Sequence, residues 1–239
     1  MSTSQHGSQE VSTGTAIRVP EAGAATERIP NATAATYPDP TVADPGPLGL
    51  AAFAATTFVL SVFNAGIIKD ARLEAVVLPL ALAYGGLSQL LAGMWEFRKA
   101  NTFGATAFTS YGAFWLSFFL LVNTYAGHLP AATAYKGVGL YLLAWTIFTG
   151  YMFIASLRVT GAVALVFVLL FATFLFLAIG AFAQKTGLTH LGGWLGLLTA
   201  IAAWYASFAG VTNATWGRIV LPVVPLTPGA GRAAGGRRV

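Results

Sequence analysis

His6, His128 and His190 lie too far apart to read as a metal-ligating set, and the chain has no cysteine. Disulfides, thiolate ligands and thiol nucleophiles are therefore excluded, no cofactor is expected, and catalysis has no obvious machinery. What remains is neutral polarity set in apolar sequence: Thr56, Thr57 and Asn64; Tyr84, Ser88 and Gln89; Thr106, Thr109, Ser110 and Tyr111. Hydroxyl and amide groups of this kind hydrogen-bond a small polar solute without making or breaking its bonds. Positions 53, 57, 60 and 64 share one helical face, so Phe53, Thr57, Leu60 and Asn64 form a mixed stripe. The stripe either lines a path or bonds neighbouring backbone and helices. Gln89, Gly93 and Glu96 share a second face, with Gly85 or Gly86 above them. Glu96 opens the run "EFRKAN" and reads either as a gate or proton-coupling group, or as an interfacial carboxylate held by helix-start amides or a cation. Tyr111 has a comparable choice between touching solute and bonding a neighbouring carbonyl.

The elements that must position these groups are membrane spans. Only 9% of the residues are charged against 56% hydrophobic, far from the roughly one quarter charged of soluble domains. Each long uncharged stretch accommodates the ~20 apolar residues that cross a hydrocarbon core. They predict an all-α integral membrane protein, a six-helix bundle with spans at Leu48 to Ile68, Ala75 to Trp95, Phe103 to Asn123, Gly137 to Leu157, Gly161 to Ala183 and Leu191 to Asn213. None of these spans contains Asp, Glu, Lys or Arg, which argues against side-chain proton relays at mid-membrane and against intramembrane enzymes. Residues 1–43, rich in Ala, Ser, Thr, Gly and Pro, read as a disordered cytoplasmic tail without a signal-peptide core; 44–220 read as the membrane domain and 221–239 as a disordered basic tail.

Nine Lys and Arg fall on the side of the two tails and the even-numbered loops, against Lys69, Arg72, Lys136 and Lys185 opposite. That excess predicts a multi-pass cell-membrane protein with both termini cytoplasmic. It also assigns the basic surplus to topology rather than to nucleic acid. Asn31 and Asn213 match the Asn-x-Ser/Thr acceptor pattern but face no glycosylating compartment on this topology, so both matches are read as chance. Trp95, Trp115, Trp194 and Trp216 read as an interfacial belt. Gly192, Gly196 and Ala200, and Ala81 with Gly85, form small-residue ladders that fit helix packing within one protomer or between subunits equally.

The runs "DPGPLGL" from Asp44 and "GMWEFRKANTFGATAFTSYGAFW" from Gly93, together with "YGG" at Tyr84, "GVGLYLLAWTIFT" from Gly137, "LAIG" ending at Gly180 and "WGRIVLP" from Trp216, closely resemble the acetate uptake transporter family (AceTr, YaaH- or SatP-like). The resemblance covers about Asp44 to Pro222. It implies six helices per subunit, a homohexamer, and proton-linked uptake of acetate and in some cases succinate through a hydrophobic constriction. Carried onto this chain, the constriction falls on Phe53, Tyr111 and Leu170. The family signature falls on Pro45, Pro47, Leu48, Gly49 and Leu50, and Glu96, Asn101 and Thr102 also carry over. The family's leading Asn is Asp44 here, a residue that caps a helix equally well but whose charge disfavours an anion.

A membrane transporter or channel for acetate and related short carboxylates is therefore expected, with Thr57, Asn64, Gln89 and Thr109 as polar lining and protons and the bilayer as partners. A carboxylate in an apolar ring costs several kcal/mol unless bonded, and its neutral acid far less; the solute can carry its own proton. Two rivals stand beside this. One is a channel for another small polar solute such as urea, amides or ammonium, and the other is a membrane sensor or assembly protein that uses the two tails.

Overall fold

The computed structural model of the protein describes residues 42–226. All but the last two residues of the expected N-terminal tail, and residues 227–239, lie outside the described residues. The described residues form six apolar helices: α1 Gly46–Asn64, α2 Arg72–Arg98, α3 Thr102–His128, α4 Ala134–Ser156, α5 Gly161–Ala183 and α6 Thr186–Trp216.

Local chemistry sets the helix ends. Pro47 sits in the first turn of α1, where its missing N–H costs nothing, and Asp44 Oδ1 accepts from the Gly46 N–H (3.1 Å). The apolar run continues through Ile67 and Ile68, but α1 stops at Asn64, short of the expected Ile68, because Gly66 turns the chain with φ +70°. At α3, Asn101 is the N-cap, its Oδ1 accepting from the Gly104 N–H (3.1 Å). Gly217 closes α6 in the left-handed conformation (φ +61°).

Three helices run past the expected spans. α2 continues beyond Trp95 to Arg98, so Glu96 lies inside a helix. A hydropathy window ends at the first charge, whereas the helix ends only where Asn101 begins the next one. α2 is also not uniform: Ala83–Ser88 forms a π turn, and the Ser88 hydroxyl donates to the Ala83 carbonyl (3.1 Å). α3 likewise ends in a π turn over Leu121–Tyr125 and a short 3-10 turn.

α1 packs on α6, α6 on α5, α5 on α4, and α2 on α3 and α1. The small-residue ladders act inside the protomer. Gly192 faces Leu177 of α5, Gly196 faces Ser61 of α1, and a Cβ on Gly193 would collide with the Ala65 backbone. Ser207 of α6 donates to the Pro47 carbonyl (2.6 Å), so the Pro-Leu-Gly run is bound to the last helix.

The segment after α6 departs from the expected tail boundary at 221. The Asn213 amide accepts from the Val220 and Leu221 N–H groups (2.7 and 2.9 Å) and donates to the Leu221 carbonyl (2.9 Å). Tyr205 donates to the Pro222 carbonyl (2.6 Å). The Val224 and Val223 carbonyls then accept from the Gly161 and Ala162 N–H groups that open α5 (2.7 and 3.2 Å), and the Leu226 N–H donates to the Val159 carbonyl (3.1 Å). With the Thr160 hydroxyl taking the Val163 N–H (3.2 Å), the N–H groups of Gly161, Ala162 and Val163, which have no partner inside the helix, are all satisfied, and the Ala164 N–H makes the first intrahelical bond, to the Thr160 carbonyl (2.9 Å).

Candidate functional site

Three cavities follow one another through the bundle, between α1, α3 and α5. The first, about 190 Å³, is large enough for several waters at roughly 30 Å³ each. It opens where α1 begins and α2 ends, and Asp44, Glu96 and Asn101 line it with Leu50, Gln89 and the α5 residues Val159 and Val163. The second, about 380 Å³, runs on past Thr57, Leu60, Asn64, Phe114 and Trp115. A third, about 430 Å³, forms the opposite mouth and shares Asn64, Glu74 and Thr189 with the second.

Phe53 and Leu170 line both the first and the second cavity, and Tyr111 lines the first. All three are at most 4% exposed. The Phe53 and Tyr111 rings lie 5.7 Å apart, and Tyr111 is wedged edge-on against Phe148 at 5.3 Å. An aromatic cluster around Phe114, with Tyr141, Trp145 and Phe174 within 6 Å of it, backs this narrowing with stiff, shape-holding contacts. Thr149 donates its proton to the Trp145 carbonyl (2.7 Å), so the Tyr111 hydroxyl is the donor in its bond to Thr149 Oγ1 (2.9 Å). Tyr111 therefore presents its ring, and its hydroxyl proton is held by α4 rather than offered to a solute.

Buried polar atoms lie on both sides of the narrowing. Gln89 Oε1, Thr57 Oγ1 and Trp115 Nε1 have no hydrogen-bond partner among the described residues, although Gln89, Thr57 and Trp115 are 1%, 5% and 2% exposed. Buried groups of this kind carry a desolvation cost unless something hydrogen-bonds them. Gln89 faces the first cavity and the other two the second, so the path supplies acceptors and donors that the fold leaves free.

Glu96 is 1% exposed. Asn101 Nδ2 donates to its Oε2 (2.8 Å), and Gly46 and Gly104 let backbone close around the carboxylate. Lys99, three residues further along, instead pairs with Asp44 (3.1 Å). Glu96 and Asn101 thus form one unit that joins the end of α2 to the start of α3 and faces the first cavity. Asp44, standing where the resemblance places an Asn, takes both the helix-capping bond and the ion pair.

The stripe of Phe53, Thr57, Leu60 and Asn64 does line a single cavity. Among the other polar candidates, Thr109 lines none of the three. It packs on Gly93, where α2 and α3 touch, because that glycine brings the two backbones too close to leave a passage. Leu48 is exposed and Thr102 opens α3 at the surface, while Pro45 is buried and Gly49 packs under Phe108. Trp115 does not belong to an interfacial belt as expected. It lies beside Phe114 and Phe118 at 4.9 and 5.8 Å and reaches the path. No sequence signal separates it from Trp95, Trp194 and Trp216, which are all more than half exposed. Asn213, read as a chance match, is the clamp of the segment that follows α6.

A family profile described as the GPR1/FUN34/yaaH family matches residues 27–228. Acetate permease A of Emericella nidulans is 41% identical over 208 residues, covering 80% of this chain and 69% of that protein. The succinate-acetate/proton symporter SatP of Escherichia coli is 38% identical over 182 residues, covering 76% and 95%. Among solved structures, that of the bacterial acetate channel SatP superposes with a TM-score of 0.71 at 38% identity, over 76% of this chain and 99% of that one. The chain spans 62% of the length of two Saccharomyces cerevisiae relatives, one of them named ammonia transport outward protein 2 and 43% identical. A profile match over most of the chain, a 38% identical relative spanned over 95% of its length, and a shared structure agree: the chain belongs to the GPR1/FUN34/yaaH family.

Proposed function

We propose that this chain carries acetate and related short carboxylates, including succinate, across the cell membrane together with protons, through the path narrowed by Phe53, Tyr111 and Leu170. The observation that carries the reading is the pair of cavities meeting at Phe53 and Leu170 with unpartnered polar atoms on both sides of the meeting point. The names of the acetate-carrying relatives and of the bacterial acetate channel support it, as they support transport over catalysis.

In this reading Thr57, Trp115 and Asn64 hold the solute on one side of the ring and Gln89 on the other, while the ring itself sieves by size and hydration. The neutral acid crosses the ring, since a bare carboxylate there forfeits its hydration without replacement. Glu96, bound to Asn101 at the first mouth, shapes that mouth and does not have to relay the proton. Copies of the chain assemble as a homohexamer through the apolar outer faces, where Leu140, Ile147 and Ile154 of α4 are each more than 60% exposed. Both termini are cytoplasmic.

The test is labelled acetate uptake into proteoliposomes at fixed total acetate. Short carboxylic acids titrate like a Glu side chain, near ~4.3, so uptake is expected to fall about tenfold per unit as pH rises from about 5.5 to 7.5. Uptake that tracks total acetate regardless of pH overturns passage as the neutral acid. Passage of ammonium or urea with no carboxylate movement establishes the reading as a channel for another small polar solute, which the ammonia-named yeast relative favours.

A further inference from the structure

The mouth opposite Glu96 carries chemistry that the path itself does not use. Its cavity, about 430 Å³, is lined by Lys185 and His190 together with Asn64, Gln184, Thr186 and Glu74. The first mouth has only carboxylates as charged lining, Asp44 and Glu96, and the middle cavity only Glu74. Cationic lining among the three cavities is thus confined to the Lys185 and His190 mouth.

The placement of His190 is built rather than incidental. It lies in the first turns of α6, and its imidazole rests directly on Gly66 at the end of α1: a Cβ there would come within 2.6 Å of Nε2. Gly66 adopts φ +70°, a conformation in which a Cβ is disfavoured as well, so that position keeps the imidazole seated at the rim. Gly180 similarly makes room for Thr189, fixing the start of α6 against the end of α5. The titratable groups facing the cavity are Glu74 from the start of α2, Tyr135 from α4, Lys185 ahead of α6 and His190. The nearby Asp70 and Arg72 satisfy each other at 2.8 Å, and His128 bonds the Thr124 carbonyl (3.0 Å); none of these lines the cavity.

We propose that this mouth is an anion-docking site for carboxylates, in which Lys185 offsets Glu74 and protonation of the His190 imidazole tips the local charge to positive. Histidine is the side-chain type whose charge changes between about pH 5 and 8, so the mouth gathers carboxylate under the same mild acidity that supplies protons for the neutral acid. With Glu74 offset by Lys185, a net positive concave opening raises the local concentration of its counter-ion. The neutral hydrogen-bonding groups Asn64, Gln184 and Thr186 complete the recognition without selecting among carboxylates. The docking role deepens the transport reading and rests on it, but the potential at the mouth is measurable without transport.

Because the chain has no cysteine, Gln184→Cys makes a single reporter in this cavity. The experiment compares its modification rates by an anionic and a cationic methanethiosulfonate reagent, in the full-length reconstituted protein at about pH 5.5 and 7.5. Thiol ionisation affects both reagents alike and cancels in the ratio. The anion-to-cation ratio is expected to rise severalfold at the lower pH. In the His190→Gln background it stays flat and low, and in His190→Lys it stays high at both values, which also shows that the mouth tolerates substitution. A ratio that changes equally with and without His190 overturns the proposal. Acetate uptake is measured on the same preparations, with a raised KM and unchanged maximal rate expected for His190→Gln. A pH-responsive ratio without any acetate uptake by the parent protein refutes the transport reading and leaves the anion-attracting mouth standing. Uptake with a ratio indifferent to His190 refutes the docking site alone.

Discussion

At one end of the path Asp44 and Glu96 line the opening, with Lys99 on Asp44 and Asn101 on Glu96. At the other end Lys185 and His190 face the cavity beside Glu74. The first opening is small and its side chains hold one another; the second is wider, and its cationic groups are exposed. Between them the narrowing is entirely ring and aliphatic surface. In the proposed reading a carboxylate meets favourable charge at one end, none at the narrowing and like charge at the other. On that proposal, collecting a solute and discriminating it are separate tasks that fall to different residues.

The largest way to break this contrast is to open the partition between the two ends. Phe53→Ala and Leu170→Ala remove bulk shared by both cavities, and each is expected to raise lactate relative to acetate uptake by roughly tenfold, the scale at which hydrophobic pockets discriminate small groups. Unchanged selectivity in both removes the sieve from these residues. A smaller effect, confined to the carboxylate-lined end, is expected from Asn101→Ala. It deletes the α3 cap and the donor to Glu96, at a cost of about 1–2 kcal/mol, read as a lower unfolding temperature in detergent with little change in selectivity. Equal losses of stability and selectivity would show that the two ends are not independent. The smallest effect is expected from Asp44→Asn. Asp44 is more than half exposed and already paired, and exposed pairs contribute little, so the acetate KM at that end is expected to shift by no more than about twofold. A larger drop would sharpen the contrast by showing that the first opening repels anions through Asp44.

Much of the membrane architecture is legible in the sequence because hydrocarbon leaves few options: the six spans follow from where charge is missing. The stripe from Phe53 to Asn64 is equally legible, since a straight α-helix keeps positions 53, 57, 60 and 64 on one side. α2 resists the same treatment. Its π turn at Ala83–Ser88 breaks the 3.6-residue phase, and its last turn carries a carboxylate that hydropathy assigns to the surface. Burial of Glu96 depends on Asn101, Gly46 and Gly104, three contacts from outside the helix. Thr109 and Tyr111 show the remaining limit. Two residues apart on one helix, both are polar enough to line a passage. One is sealed by Gly93, and the other has its hydroxyl proton taken by Thr149. Composition does not distinguish them; the neighbours do.

The segment that clamps the start of α5 bears on how the protein is made. Residues 223 and 224 supply acceptors to amides more than sixty positions earlier, and chains emerge N-terminus first. The helix that contributes Val163 and Leu170 to the path is therefore made before the acceptors for the Gly161 and Ala162 amides exist, and those two amides meet them only once residues 223 and 224 have been synthesised. Anchoring of the α5 start is therefore a late step of synthesis, possible only after α6 itself has been made.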